Sequence, residues 1–323
     1  MRAIRFDKTG GPEVLTLADV AKPEPKAGEI LVKHQAIGIN FIDTYHRSGL
    51  YPVRLPSGLG MEAAGVVEAV GEGVTRFAPG DLVAYASGPI GAYAEYAATP
   101  AERAVRLPAG VSAEVGAAVL LKGMTAEFLV RRCFPVQAGQ TILVHAAAGG
   151  VGQILLQWAK VIGATVIATV GSQDKAERVK ALGADHVILY RDQDVAAEVR
   201  RITGGVGVPV VYDSVGAATF EGSLASLARR GMLVSYGNAS GPAPAIEPGR
   251  LSRMGSLFLT RPTLFDYVAT QAELDDSAQA LFGLIAAGKI EVEIGQTFPL
   301  AEARRAHETL ESRATVGASL LIP

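Results

Sequence analysis

At 323 residues, 49% hydrophobic and 19% charged, the chain has the length of two domains and the profile of an ordinary folded α/β protein. A net charge of -2 argues against a general nucleic-acid or anionic-membrane binder, and a single cysteine, Cys133, allows neither an internal disulfide nor a cysteine zinc cluster. No apolar run reaches the roughly 20 residues of a membrane helix, and no secretory signal is recognisable, so the cytosol is the expected compartment.

The first part of the chain, to about residue 110, reads as short strands between glycine and proline turns, which suggests a barrel-like β-rich domain. Strands are predicted at Ile30 to Ala36, Ala63 to Val70 and Leu82 to Tyr85. Ser112 to Arg132 reads as helix, with Gly123 marking a break. From Thr141 a strand–helix alternation begins. Strands are predicted at Thr141 to His145, Thr165 to Val170, His186 to Leu189, Val208 to Asp213 and Met232 to Tyr236. Helices fall between them at Lys175 to Leu182, Val195 to Ile202 and Thr219 to Ala228. This rhythm predicts a doubly wound parallel sheet. The tail returns to other patterns: a strand at Ser256 to Thr260, helices at Asp275 to Ala287 and Ala301 to Glu311, and a closing strand at Ala318 to Ile322. A nucleotide domain inserted in a β-rich domain fits this order, with residues 123–260 inside 1–122 and 261–323. The cleft between the two would be the expected substrate site.

The loop after the first strand of the alternating region reads Ala147-Ala148-Gly149-Gly150-Val151-Gly152. It is a Gly-x-Gly-x-x-Gly fingerprint with alanine in first place. A strand before it and an amphipathic helix after it point unpaired N–H groups at a phosphate, so Gly149, Gly150 and Val151 are candidate pyrophosphate contacts. The next strand ends Thr169-Val170-Gly171-Ser172 without the carboxylate that would bind a ribose 2′-hydroxyl. Ser172 offers a hydroxyl, Lys175 a charge, and Tyr190 a phenol from the end of the third strand. Together with Gly171 they favour a 2′-phosphate, hence NADPH. Ser172 or Asp174 as a plain helix cap, and Lys175 as a surface charge, are the alternatives.

Four segments carry a resemblance: Ala36 to Tyr45, Gly60 to Val67, Leu120 to Thr125, and Ala147 to Gly152. In this order they resemble the medium-chain dehydrogenase/reductase superfamily. More narrowly the chain is similar to the bacterial NADPH:quinone oxidoreductases related to ζ-crystallin. The resemblance implies a Rossmann nucleotide domain with a GroES-like catalytic domain, and commonly a homodimer, with Met254 to Thr260 as a candidate edge. It also implies a departure from the zinc alcohol dehydrogenases. Asn40, Met61 and Lys122 stand where those enzymes carry zinc ligands, and one neighbouring carboxylate, Glu62, does not make a zinc site. No metal is expected. Without a Lewis acid the chemistry should suit an acceptor that is already electrophilic, such as a quinone.

By the same resemblance, Asn40, Phe41, Ile42, Asp43, Thr44 and Tyr45 face the nicotinamide and its ribose. Asn40, Tyr45 and Tyr51 are candidate catalytic or substrate contacts, the two tyrosines placed on a loop around Gly49. A phenol can hydrogen-bond a quinone oxygen as charge develops there. Thr125, Ser214, Tyr236, Asn238 and Thr260 are further cofactor candidates, and Arg313 is a candidate phosphate ligand. Reduction of an enone or alkenal C=C bond is the nearest alternative activity. A non-catalytic NADPH-binding crystallin-like role and RNA binding are alternatives of another kind.

Overall fold

The computed structural model describes residues 1–312 and 315–323. Its backbone forms two compact units, Met1–Met124 with Val268–Ala286 and Val292–Pro323, and Thr125–Tyr267 with Ala287–Glu291.

In the second unit six strands form one parallel sheet. Their spatial order is His186–Leu189, Thr165–Val170, Thr141–Val144, Val208–Asp213, Leu227–Ser235, Phe258–Thr260. Counted along the chain this is 3-2-1-4-5-6, the doubly wound arrangement whose order reverses beside the first strand. Its interior strands are runs such as Val208 to Val211, because parallel strands are covered on both faces. Leu143, Ile167, Ile188, Val211 and Leu233 are sealed in a common core with Val199 and Phe220 from the helices.

The first unit is built on a seven-stranded sheet. Along it run Ile294–Pro299, Ala318–Ile322, Glu29–Ile39, Glu62–Val70, Leu82–Tyr85 and Ala104–Arg106, and Tyr96–Pro100 pairs with Glu29–Ile39. A three-stranded sheet of Thr16–Asp19, Arg2–Phe6 and Ser57–Gly58 belongs to the same unit. Ile30, Val32, Ile37, Leu59, Val83 and Tyr93 fill its core.

Three expectations need correction. The helix Ala113–Phe128 runs through Gly123 without a break, and a π-helical turn, Leu129–Cys133, follows it. Glycine is needed at 123 for packing, since a Cβ there would lie 2.3 Å from Leu281 Cδ2. The helix expected at Thr219 to Ala228 is Phe220–Ser226, and the next strand starts already at Leu227. Phe41–Ser48 is a helix rather than a loop, ended by Gly49 in the left-handed conformation at φ 84. Tyr45 therefore sits on a helix, and only Tyr51 lies beyond it.

Candidate active site

The phosphate turn has the geometry its sequence requires. The strand Thr141–Val144 ends in a turn in which Ala146 has φ 49, and the 13-residue helix Gly150–Ile162 starts after Gly149, its N-cap. Among the described residues no side chain caps that end, so its N–H groups are available to an anion. A Cβ at Gly152 would lie 2.4 Å from Ala146 O and 2.7 Å from Ala147 Cα. Glycine at 152 is what lets the helix close on the turn. Ala147, in place of the first glycine, is fully buried and its N–H donates to Thr169 O at 3.2 Å, so the alanine fits this backbone.

Below the turn a buried polar network ties three strand ends together. His145 bonds Thr169 Oγ1 through Nδ1 and Ser223 Oγ through Nε2, both at 3.0 Å. Ser223 Oγ donates to Asp213 Oδ2 at 2.7 Å. Asp213 Oδ1 accepts the N–H groups of Val215 and Gly216, which fixes the turn holding Ser214. Gly237 packs so closely that a Cβ would lie 2.4 Å from Ser214 O. Ser214, Tyr236 and Asn238 are thereby brought together at the carboxyl ends of adjacent strands. Thr260 ends the neighbouring strand, paired with Val234. Thr125 is buried in the helix Ala113–Phe128.

The expected 2′-phosphate residues also converge. Ser172 is the N-cap of the helix Gln173–Ala181, with Lys175 half-buried in its first turn. Tyr190 closes over Gly171, where a Cβ would lie 2.5 Å from the phenol oxygen and 3.4 Å from Arg191 Nε. The Lys175 ammonium is held below its ordinary pKa by burial and by the Arg191 guanidinium. Two cations close enough to repel, near the strand end that carries a hydroxyl and under a phenol, fit a dianionic phosphate, which would relieve their repulsion. Sequence reasoning missed Arg191, although it directly follows Tyr190 at the same strand end.

In the first unit, Asn40 and Lys122 meet on Glu62. Glu62 Oε2 accepts Asn40 Nδ2 at 2.8 Å and Lys122 Nζ at 3.0 Å, and Oε1 accepts Leu121 N at 2.7 Å. A Cβ at Gly38 would lie 2.2 Å from Glu62 Oε2, so glycine there makes room for the carboxylate. An amide donor, an ammonium and the buried thioether of Met61 are the wrong donors for zinc, and the ammonium already supplies the positive charge.

Asp43 points inward. Its Oδ2 accepts Asn40 N at 2.8 Å and Tyr93 Oη at 2.9 Å. Tyr93 Oη also meets His307 Nε2 at 3.1 Å, and His307 Nδ1 meets Arg47 Nη1 at 3.0 Å. Arg47 in turn donates to both oxygens of Glu311, at 3.1 and 2.6 Å. An arginine can only donate, so Nδ1 accepts and the neutral ring carries its proton on Nε2. Donation then runs from Arg47 through His307 and Tyr93 to Asp43. Burial lifts the Asp43 carboxyl to about 7, against the pull of Asn40 N–H, Tyr93 and Lys122. Burial and then Arg47 push His307 down to about 3. The chain anchors the helix that carries Tyr45. Asp43 thus acts through Asn40 and this helix. Thr44 is buried with its hydroxyl on Phe41 O at 2.7 Å, while Phe41 and Ile42 are half-buried. Tyr45 and Tyr51 form an edge-to-face pair with ring centroids 5.3 Å apart. Arg313 lies outside the described residues.

Known proteins share this architecture. A family model described as Alcohol dehydrogenase GroES-like domain matches residues 26–109, and one described as Zinc-binding dehydrogenase matches residues 150–282. The chain is 52% identical over 323 residues to the quinone oxidoreductase of Pseudomonas aeruginosa, with 100% of this chain and 99% of the relative covered. It is 43% identical to the 2-haloacrylate reductase of a Burkholderia species, with 98% and 97% covered. The crystal structure of Escherichia coli quinone oxidoreductase complexed with NADPH matches with a TM-score of 0.99 at 50% identity, covering 100% of both chains. A Rossmann sheet with a GroES-like β unit defines a medium-chain dehydrogenase/reductase. Within that superfamily, the chain belongs to the quinone oxidoreductase family.

Proposed function

We propose that this chain is an NADPH-dependent quinone reductase that works without a metal. The observation that carries the reading is full-length identity of 52% to a quinone oxidoreductase. The convergence of Ser172, Lys175, Tyr190 and Arg191 supports the phosphorylated cofactor over NADH. When bound, NADPH supplies a hydride. The turn Gly149, Gly150 and Val151 receives its pyrophosphate, and Gly171, Ser172, Lys175 and Tyr190 its 2′-phosphate. Ser214, Tyr236, Asn238, Thr260 and Thr125 are the proposed ribose and nicotinamide contacts, with Arg313 an additional one. Asn40, Phe41, Ile42, Thr44 and Tyr45 complete the set, with Asp43 acting through Asn40 rather than by contact. Tyr45 and Tyr51, stacked edge to face, are the proposed quinone contacts, and Asn40 orients by its bond to Glu62. Holding two reactants in an attack geometry supplies much of the rate, as no nucleophile is needed. NADPH oxidation followed with a panel of quinones, with the product identified, tests this reading.

A second reading has a specific observation behind it. The 43% identity to 2-haloacrylate reductase favours reduction of an activated C=C bond as an additional or alternative activity. Turnover of a polycyclic quinone and a haloacrylate, side by side, separates the two. The proposed domains are a catalytic domain of residues 1–122 and 261–323 and a nucleotide domain of residues 123–260. The reading includes a cytoplasmic location, in keeping with the lone thiol of Cys133. It also includes a homodimer through the sheet edge Phe258–Thr260, where the Phe258 side chain is 57% exposed. Light scattering coupled to size exclusion distinguishes a dimer from a monomer.

A further inference from the structure

We propose that Lys122, held by Glu62, is a catalytic residue: its ammonium stabilises the negative charge that appears on the quinone oxygen during reduction. The inference rests on the quinone-reductase reading above.

Glu62 is fully buried, and its carboxylate accepts three donors, Leu121 N, Asn40 Nδ2 and Lys122 Nζ. Gly38 keeps the space for it open. The carboxylate is therefore a fixed seat, and what it seats is a cation. The Lys122 side chain is only 7% exposed, so its charge acts in a poorly hydrated place. Among the described residues its ammonium has one hydrogen-bond acceptor, Glu62, leaving two of three N–H donors for another group. A buried ion pair is weak evidence of stabilisation, since well-packed apolar residues of similar volume commonly serve a fold as well or better. A carboxylate fixed by three donors and an incompletely used ammonium make sense together when the ammonium has a second acceptor during the reaction. Asn40, a proposed catalytic contact, hangs on the same Glu62 oxygen as Lys122. The two donors are thus held side by side.

In the two-electron reduction the quinone gains a hydride, the reduced nicotinamide is oxidised, and one proton taken up from water completes the hydroquinone. Before that proton arrives, one oxygen of the ring system carries negative charge. A preorganised cation with free N–H donors stabilises that charge at the moment it forms. This is the part a Lewis-acid metal would play, performed by a side chain.

The test uses the full-length protein. In Glu62→Gln/Lys122→Met no lone buried charge remains, and the amide oxygen at position 62 can still accept Asn40 Nδ2, so NADPH affinity should hold. The turnover number for quinones should fall roughly 100-fold, the range seen when one oxyanion donor is lost, with KM changed little. Across a quinone series, its dependence on electron-withdrawing substituents should steepen. In Lys122→Ala, added ethylammonium should restore turnover in a saturable way. With the unmodified protein, a nitrophenol that competes with quinone should bind as the phenolate, seen by its absorption band below the free pKa. Turnover of the double variant within about threefold of the parent, with no amine rescue, would overturn the assignment, as would binding of the nitrophenol in neutral form. A parent protein inert toward quinones but able to bind NADPH would instead remove the underlying functional reading.

Discussion

The cofactor pocket makes the sharpest quantitative claim. Replacing Lys175 with alanine removes one of two cations that press on each other, Lys175 after the second strand and Arg191 after the third. A charge-assisted hydrogen bond is worth about 1.5–3 kcal/mol, and about 1.4 kcal/mol is a factor of ten. Lys175 is half-buried and Arg191 exposed, so solvent screening places the loss near the lower end of that range. NADPH affinity should therefore weaken about tenfold in Lys175→Ala. NADH lacks the phosphate, and its affinity should change less than about twofold. Raising the salt concentration should narrow the difference between parent and variant for NADPH. Titrating both cofactors by quenching of protein fluorescence, at low and high salt, measures every quantity needed. Equal losses for NADPH and NADH, or no loss for either, would refute the assignment of this pocket.

Two further predictions address other parts of the molecule. In Gly152→Ala the new Cβ collides with backbone at Ala146 and Ala147, which cannot swing aside as a side chain can. The turn must shift, and affinity should fall at least about tenfold for NADPH and NADH alike, by loss of the anion-binding N–H geometry; calorimetric titration of each cofactor checks it. Stability should fall on acidification. Burial depresses His34 to about 4 and His307 to about 3, so their neutral forms favour the fold fully above pH 6.5, and that contribution is lost as pH falls from 6.5 toward those values. Asp43 runs the other way: lifted to about 7 from 3.8, it contributes fully below pH 3.8 and loses its contribution as pH rises through 7. Between pH 4 and 6.5 two groups favour proton uptake by the unfolded chain and one favours uptake by the fold. From these three groups the net is one proton, or about 1.4 kcal/mol per pH unit, and His145 and His46, also depressed by burial, add in the same direction. Urea unfolding at pH 4.5, 5.5 and 6.5 measures the slope; a flat profile would contradict it.

The nucleotide sheet was the legible part of this sequence. Thr165–Val170, His186–Leu189 and Val208–Asp213 fall where their apolar runs predict. Strands covered on both faces leave continuous hydrophobic runs in the sequence. Lys175 and Tyr190 could be singled out because a doubly wound sheet gathers its strand ends on one side. The helix Phe41–Ser48 was harder to see. Its buried face includes Asp43, Thr44, His46 and Arg47, so its inward side reads as polar. Those residues are buried because partners distant in sequence satisfy them. Arg47 meets Glu311 264 positions away, and Tyr93 meets His307 across 214. No local pattern encodes such pairs. Ile294–Pro299 escaped notice for a different reason: its Gly295 and Gln296 break the alternation at the edge of a sheet. In the sequence Lys122 stood out only as a replacement in a zinc pattern, and Glu62 only as the carboxylate next to another. Their mutual contact turned a missing metal into a positively charged group with a fixed seat.

The most direct measurement is quinone-dependent oxidation of NADPH by the purified full-length chain, set against NADH under identical conditions, with the reduced product identified. The expected result is stoichiometric consumption of quinone and NADPH, with kcat/KM at least about tenfold higher for NADPH than for NADH. Quinone reduction no faster than the uncatalysed reaction, or equal efficiency with the two cofactors, would contradict it.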